Sequence, residues 1–342
     1  MWKVLFSFGM VGTLAFILAN AYASRSQIVP FSADDYKANK LEIKQSGFNQ
    51  KLVEIGRQLF HDKRLSANEE IACASCHHAQ NAFGDSKSFS NGIAPTKVNT
   101  PPLFNLKYYK HFFWDGRVGD LVQQIKEPLF NSDEHGADTN IINAVVENFY
   151  LESYQAFQTD FDQDITSTDF ISLAIASFLN RLESFNSPFD KFIAQYEAQN
   201  LQFVEGFGPE EWQGFQVFLS KGRCVSCHSG ALFSDQKFYI TGMAFEDRTD
   251  RLLVSGNQCN SPRCIAANSG VRTPTLRNLS QTAPYFHDGS AATIKEVIYR
   301  YMRPAPKKNR HKDITPLYLN SDEVVSLEKF LLSLNGTVEQ ND

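Results

Sequence analysis

The sequence predicts a mostly α-helical protein made of two tandem copies of one domain, threaded by long irregular loops. Three observations carry that expectation. The pattern Cys73-Ala-Ser-Cys76-His77 returns as Cys224-Val-Ser-Cys227-His228, and the residues around the two copies match at one spacing. Helix-start signals precede several stretches with apolar residues at helical intervals. Alternating strand patterns are scarce, and Pro-rich turns such as Thr100-Pro-Pro102 separate the helical stretches.

Composition sets the bounds. Of 342 residues, 42% are apolar and 13% aromatic, with a formal net charge of −5. That is globular composition, and the length suits one large domain or two ordinary ones. The 29 Phe supply a sizeable core and exclude disorder over most of the chain. Mild acidity argues against a nucleic-acid partner, whose surface would need clustered Lys and Arg. Six Cys are too few for a disulfide scaffold of this size.

From the start of the chain, Met1-Trp-Lys3, the apolar run Val4 to Leu18 and Ala21-Tyr-Ala23 read as a signal peptide, residues 1–23, cleaved after Ala23. An uncleaved anchor is the alternative, since Val4 to Ala23 is just long enough to span a bilayer. Export is therefore expected, with membrane contact only through this segment. It would also let a Cys259–Cys264 disulfide persist.

The repeat comes next. Gly56-Arg-Gln-Leu-Phe60 matches Gly214-Phe-Gln-Val-Phe218, and Phe83-Gly-Asp85 matches Phe233-Ser-Asp235. Thr100-Pro-Pro-Leu-Phe-Asn105-Leu106 matches Thr273-Pro-Thr-Leu-Arg-Asn278-Leu279, and 15 residues after each Thr stands Asp115-Gly116 or Asp288-Gly289. In that register Trp114 corresponds to His287. The expected domains are 24–205 and 206–342, with the boundary near Gln199 to Gly208. The second half carries about 22 extra residues, which include Cys259 and Cys264.

Helices are expected from Phe170 to Phe185 behind the box Thr166-x-x-Asp169, and from Ile294 to Met302 behind Thr293-x-x-Glu296. Asp138 to Phe157, Glu210 to Ser220 and Glu323 to Leu334 are further candidates.

Cys-x-x-Cys-His attaches c-type haem: both thiols add to porphyrin vinyl groups while the adjacent His reaches the iron. Zinc would need more ligands at metal spacing, and a redox dithiol would not explain a His in both copies. The expected domains are thus two c-type cytochrome units with one covalent haem each. Cys73, Cys76 and His77 serve the first, and Cys224, Cys227 and His228 the second. The sixth ligand decides between electron carrier and enzyme. His61, His111, His135 and His311 stand in polar, loop-like sequence and are poor candidates. Beyond the signal only Met243 and Met302 remain as thioethers.

Gly56-Arg-x-Leu-Phe60, Asp62-x-Arg64-Leu65-Ser66, Phe113-Trp114-Asp115-Gly116-Arg117, Pro274-Thr275-Leu276-Arg277-Asn278 and Ala283-Pro284-Tyr285-Phe286-His287-Asp288-Gly289, with the two Cys motifs, resemble the bacterial di-haem cytochrome c peroxidase family, which includes MauG. The resemblance runs from about Gly56 to Met302. It implies a periplasmic, mostly helical protein whose N-terminal haem reacts with hydrogen peroxide and whose C-terminal haem stores or relays an electron. It implies Trp114 as an electron bridge between haems. Gln124 and Glu134, ten and twenty residues further on, match the distal Gln and catalytic Glu. Asn99 with the carbonyls of Thr282 and Pro284 matches a calcium site, and calcium takes oxygen ligands. A pocket carboxylate can move a proton from the near peroxide oxygen to the leaving one. Without the resemblance, Glu134 in the run Asn131-Ser-Asp-Glu-His135 reads as an exposed acid.

Two departures matter. Ser88 to Val98, where many of the peroxidases carry a blocking His, has none, so the first haem is expected open in the resting ferric state. Fourteen residues after His287, where the peroxidases place Met, stands Tyr301, as in MauG-type members, with Met302 one step on. Tyr301 is the expected ligand, with Met302 or Met243 the alternatives. A MauG-like enzyme would oxidise residues of a partner protein. A cytochrome c peroxidase would reduce peroxide with electrons from a small cytochrome c or copper protein. A non-catalytic electron carrier or sensor is the third reading. Where MauG has a surface Trp, two residues before Cys224, this chain has Gly222, and Trp212 is the nearest substitute.

Overall fold

The structure, a computed structural model, describes residues 48–161, 165–197, 202–242, 270–307 and 310–340. The expected signal peptide, Met243 and the Cys259/Cys264 pair lie outside the described residues. The described chain is mostly helical, as expected. Its helices are α1 (Phe48–Phe60), α2 (Leu121–Phe130), α3 (Thr139–Val145), α4 (Leu151–Phe161), α5 (Ser167–Leu179), α6 (Pro188–Glu197), α7 (Pro209–Leu219), α8 (Ile294–Met302) and α9 (Ser321–Leu332). Four two-residue strands form two antiparallel pairs: β1 (Leu182–Glu183) with β4 (Glu339–Gln340), and β2 (Phe238–Tyr239) with β3 (Val271–Arg272). No described helix is long and apolar enough to cross a membrane.

Helix starts follow their caps. The hydroxyls of Thr166 and Thr293 accept from the amides of Asp169 and Glu296, and the Asn320 side chain accepts from Glu323. The expected helix to Phe185 ends instead at Leu179. Residues 182–183 pair with β4, and the Asn105 amide brackets Ser184, accepting from its N–H at 2.9 Å and donating to its carbonyl at 3.2 Å. The single helix expected from Asp138 to Phe157 is two, joined by a π turn at Val146–Tyr150.

Two apolar cores result. One gathers residues such as Leu52, Leu59, Phe60, Phe104, Ile125 and Phe170; the other is dominated by Phe189, Phe207, Phe215, Phe218, Phe233 and Phe330. In each, an early helix lies on a late one, α1 on α5 and α7 on α9. The repeated glycines mark these crossings. A Cβ on Gly56 would stand 1.8 Å from the Ala174 carbonyl oxygen, and one on Gly214 1.8 Å from that of Ser326. Only hydrogen fits, so the helices meet backbone to backbone.

Candidate active site

Both Cys motifs fold as short 3₁₀ turns, Cys73–Ser75 and Cys224–Ser226, that bring the following His back beneath the first Cys. The His77 amide donates to the Cys73 carbonyl at 2.9 Å, and that of His228 to Cys224 at 2.8 Å. His77 Nδ1 then lies 2.8 Å from the Phe83 carbonyl oxygen, and His228 Nδ1 2.9 Å from that of Phe233. A carbonyl can only accept, so Nδ1 carries the proton and Nε2 keeps its lone pair for a metal. Burial drives the His77 pKa down to about 4 and lowers that of His228, which keeps both rings neutral. The accepting carbonyls belong to residues with φ of 58° and 51°, left-handed geometry that turns them toward the ring. Phe83 and Phe233 stand at matched places of the repeat, and it is their backbone carbonyls that meet the two rings.

The four cysteines are unpaired. Burial pushes the Cys73 and Cys224 thiols up to about 12 and raises Cys76 and Cys227, so all four are held as thiols. Between the two motifs runs one cavity of about 770 Å³, lined by Cys76 and His77 at one end and by Cys224, Cys227 and His228 at the other. Arg272 also lines it. Its guanidinium is buried, with Nε and Nη1 unpaired within the protein, above the Tyr109 ring. Neutral imidazoles, thiols, an apolar cavity and an orphaned cation fit a c-type haem, whose carboxylates would answer Arg272.

Trp114 lines the same cavity. Its Nε1 donates to the Asn99 carbonyl at 2.8 Å, and its own carbonyl accepts from the Arg272 amide at 2.8 Å. Its repeat counterpart His287 is its neighbour, the rings 6.3 Å apart and edge-on. Asn99, Thr282 and Pro284 also line the cavity, and the Asn99 side-chain amide donates to the Lys87 carbonyl at 3.0 Å.

Gln124 from α2 and Glu134 from the following turn border the His77 end and a small pocket of about 60 Å³ beside it. Asn131 Nδ2 donates to Glu134 Oε1 at 2.7 Å. Burial raises the Glu134 pKa above the usual carboxylate range against that hydrogen bond. Glu134 is thus half-buried at the cavity and not the exposed acid its polar run suggests. The loop from Ser88 to Val98 is fastened to the same turn, the amides of Ile93 and Ala94 donating to the carbonyls of Glu134 and Asp133.

His135 corrects the reading of its sequence context. It is 4% exposed, its Nδ1 bonded to the Leu65 carbonyl at 3.0 Å and its Nε2 3.9 Å from Cys73 Sγ. The turn folds over the first Cys motif and carries this ring inside. The histidines lining the large cavity are His77, His228 and His287. On α8, Ile294, Val297, Ile298 and Tyr301 line it, one helical face, whereas Met302 packs among apolar neighbours off the cavity.

Residues 50–198 match the family model described as di-haem cytochrome c peroxidase. The chain is 31% identical over 296 residues to cytochrome c551 peroxidase of Nitrosomonas europaea, covering 84% of this chain and 81% of the relative. This chain belongs to the di-haem cytochrome c peroxidase family. It is a peroxidase-type oxidoreductase, and membership implies two c-type haems. The family is not uniform in function. The methylamine utilization protein MauG of Methylophilus methylotrophus is 30% identical, with 82% of each chain covered. The crystal structure of a MauG-like protein associated with microbial copper homeostasis superposes with a TM-score of 0.69 at 26% identity, over 85% of this chain and 90% of that one.

Proposed function

We propose that this family member works as MauG does, taking oxidising equivalents from hydrogen peroxide in the fully ferric state and passing them to a partner protein after export to the periplasm. The residues assigned are His77 and His228 as proximal iron ligands, Tyr301 as second ligand of the C-terminal haem, and Asn99, Thr282 and Pro284 as calcium ligands. Residues 24–205 form the peroxide-reactive half and 206–342 the electron-storing half. When bound, the haems supply the iron that accepts peroxide's two oxidising equivalents. The protein residues manage protons and position. Asn131 holds one Glu134 oxygen and leaves the other to carry a proton from the near peroxide oxygen to the leaving one. A raised pKa brings that carboxyl closer to working pH, where it can both take and return the proton. Trp114 is the bridge between the two irons.

The observation that carries this reading is the cavity lining: a phenol from α8, no thioether from it, and no histidine from Ser88 to Val98. A phenolic oxygen favours ferric and higher states, whereas a thioether favours a waiting ferrous iron. Gly222 favours the peroxidase alternative, because the surface Trp that MauG uses is missing there. The deciding experiment adds one equivalent of hydrogen peroxide to the fully ferric protein. Prompt optical change at both haems supports the MauG-like reading; reaction only after one-electron reduction selects the peroxidase.

A further inference from the structure

The two halves place the same two groups, a hydroxyl and a carboxylate, beside the second Cys of their motifs, with one chemical difference. In the first, the Ser90 hydroxyl lies within reach of the Cys76 sulfur and donates to Asp85 Oδ2 at 2.6 Å. In the second, the Tyr239 hydroxyl lies against the Cys227 sulfur and donates to Asp235 Oδ2 at 2.8 Å. Asp85 and Asp235 are repeat counterparts. Asp235 is itself fixed, its amide donating to the Cys227 carbonyl at 2.8 Å and its Oδ1 accepting from the Lys237 amide at 3.0 Å. Sulfur, hydroxyl and carboxylate are thus common to both halves. Only in the second is the hydroxyl one that can be oxidised.

We infer that Tyr239 is the electron relay between the C-terminal haem and the protein's oxidisable partner, with Asp235 as its proton acceptor. The inference rests on the peroxide-driven reading above and adds the exit from it. In a c-type attachment the Cys227 sulfur would be bonded to the haem edge, which would bring the phenol close to the cofactor's covalent link. Oxidation is balanced locally. With the C-terminal haem bound and one equivalent oxidised by peroxide, the phenol would give it one electron while the O–H proton crosses to Asp235 Oδ2. A neutral phenoxyl radical remains. An electron from the partner and the proton from Asp235 then restore the phenol. A phenol radical cation is a strong acid, and a hydrogen-bonded carboxylate removes the need to form it.

Position supports the role. Tyr239 lines the cavity but is only half-buried, its ring edge-on to His311 at 5.0 Å, whereas Ser90 is fully buried. Trp212, the other candidate, does not line the cavity. The rings of Phe218, Phe330 and Phe215 lead from it to Trp212, each pair 5.1–5.7 Å apart, and none of the three is readily oxidised.

The test uses the full di-haem protein, ring-deuterated in its tyrosines, mixed with hydrogen peroxide and freeze-quenched for electron paramagnetic resonance. A tyrosyl signal narrowed by the label is expected. It should be lost in Tyr239→Phe and weakened in Asp235→Asn, while the optical response of both haems to peroxide persists. In the unsubstituted protein a nitroso spin trap should leave its adduct on the peptide containing Tyr239, a readout that needs no variant. Normal haem oxidation with the signal intact in Tyr239→Phe, or with the adduct elsewhere, would overturn the relay alone. Haems that do not respond to peroxide at all would overturn the peroxide reading and the relay together.

Discussion

Laid over one another, the halves built around His77 and His228 agree where the cofactor would be anchored and disagree where chemistry would be directed. Both turn a left-handed Phe carbonyl onto the proximal ring, both cross helices at a glycine, and both use a left-handed Asn, Asn105 and Asn278, as a clamp. The Asn pair converges on one residue: Asn105 brackets the Ser184 backbone and Asn278 donates to its hydroxyl at 3.0 Å. The differences cluster around the shared cavity. Trp114 faces His287, Asn99 stands where the second half has Arg272, and the hydroxyl bonded to the repeated Asp is Ser90 in the first half and Tyr239 in the second; away from the cavity, buried Phe104 stands where the second half has Arg277. The shared features surround the two Cys motifs; the first half adds Glu134 and the second Tyr239 and Tyr301 to the cavity wall.

The sharpest break should come from Glu134, which has no functional twin. Glu134→Gln should slow reaction with peroxide at least about a hundredfold while leaving both haems attached, within the range for general acid–base assistance. Because burial raises its pKa, the wild-type rate should fall as pH drops through a value above that of an ordinary glutamate, and the variant should lose that acid limb. Stopped-flow rates across pH check both.

Gly56→Ala and Gly214→Ala probe what the halves share. Each adds a Cβ against a carbonyl oxygen and should cost about 3 kcal/mol, the upper part of the overpacking range, by a similar amount in the two halves. Denaturant titration of the holoprotein measures it; a large effect in one half only would mean the crossings are not equivalent.

A smaller, one-sided effect is expected from the ion pair that replaces Phe104's contacts. Arg277 is buried, forked onto both Asp190 oxygens at 2.8 Å and stacked over Phe185. Burial alone would raise the Asp190 pKa, but the Arg277 and Ser187 hydrogen bonds with the Arg277 charge outweigh it and hold it below the usual value. A depressed carboxyl stabilises the fold above its unfolded pKa of about 3.9 and loses that contribution as pH falls through the folded value. Acid should therefore weaken the hold of α6 on the second core. Asp190→Asn should remove about 2 kcal/mol at neutral pH and flatten the acid dependence, read from hydrogen exchange in α7 and α9.

Least in energy, though decisive for assignment, is the pair on α8. Tyr301→Phe should change the spectrum of one haem and alter stability by no more than about 1 kcal/mol. Met302→Leu should leave the spectrum unchanged, since adjacent helical residues point about 100° apart. A thioether band lost in Met302→Leu would reverse the ligand assignment.

Much of the molecule is legible because it is written in spacing. The Cys motifs, the caps at Thr166 and Thr293, and the register joining Trp114, Gln124 and Glu134 all depend on short or fixed intervals. What escapes depends on where a turn is carried by tertiary structure. The run Asn131 to His135 looks solvated, yet the Ala67 amide donating to the His135 carbonyl and the ring's bond to Leu65 fold it inward. Helix α5 stops six residues early because Ser184 is taken by Asn105, 79 residues away in sequence. Helices α2 and α6 are short; α2 starts on the Asp120 cap, and α6 on a reciprocal pair in which Ser187 Oγ accepts from the Asp190 amide and Asp190 Oδ2 from the Ser187 amide. Nor does sequence alone show that the Phe83 and Phe233 carbonyls, not their rings, orient the imidazoles.

In the proposed reading the first haem is open at rest while Tyr301 closes the second. The ferric electron paramagnetic resonance spectrum of the purified di-haem protein, recorded without any reductant, tests it most directly. One high-spin and one low-spin haem in equal amounts is the expected result. Two low-spin haems would mean that a further side chain blocks the His77 iron, and would overturn the open first site.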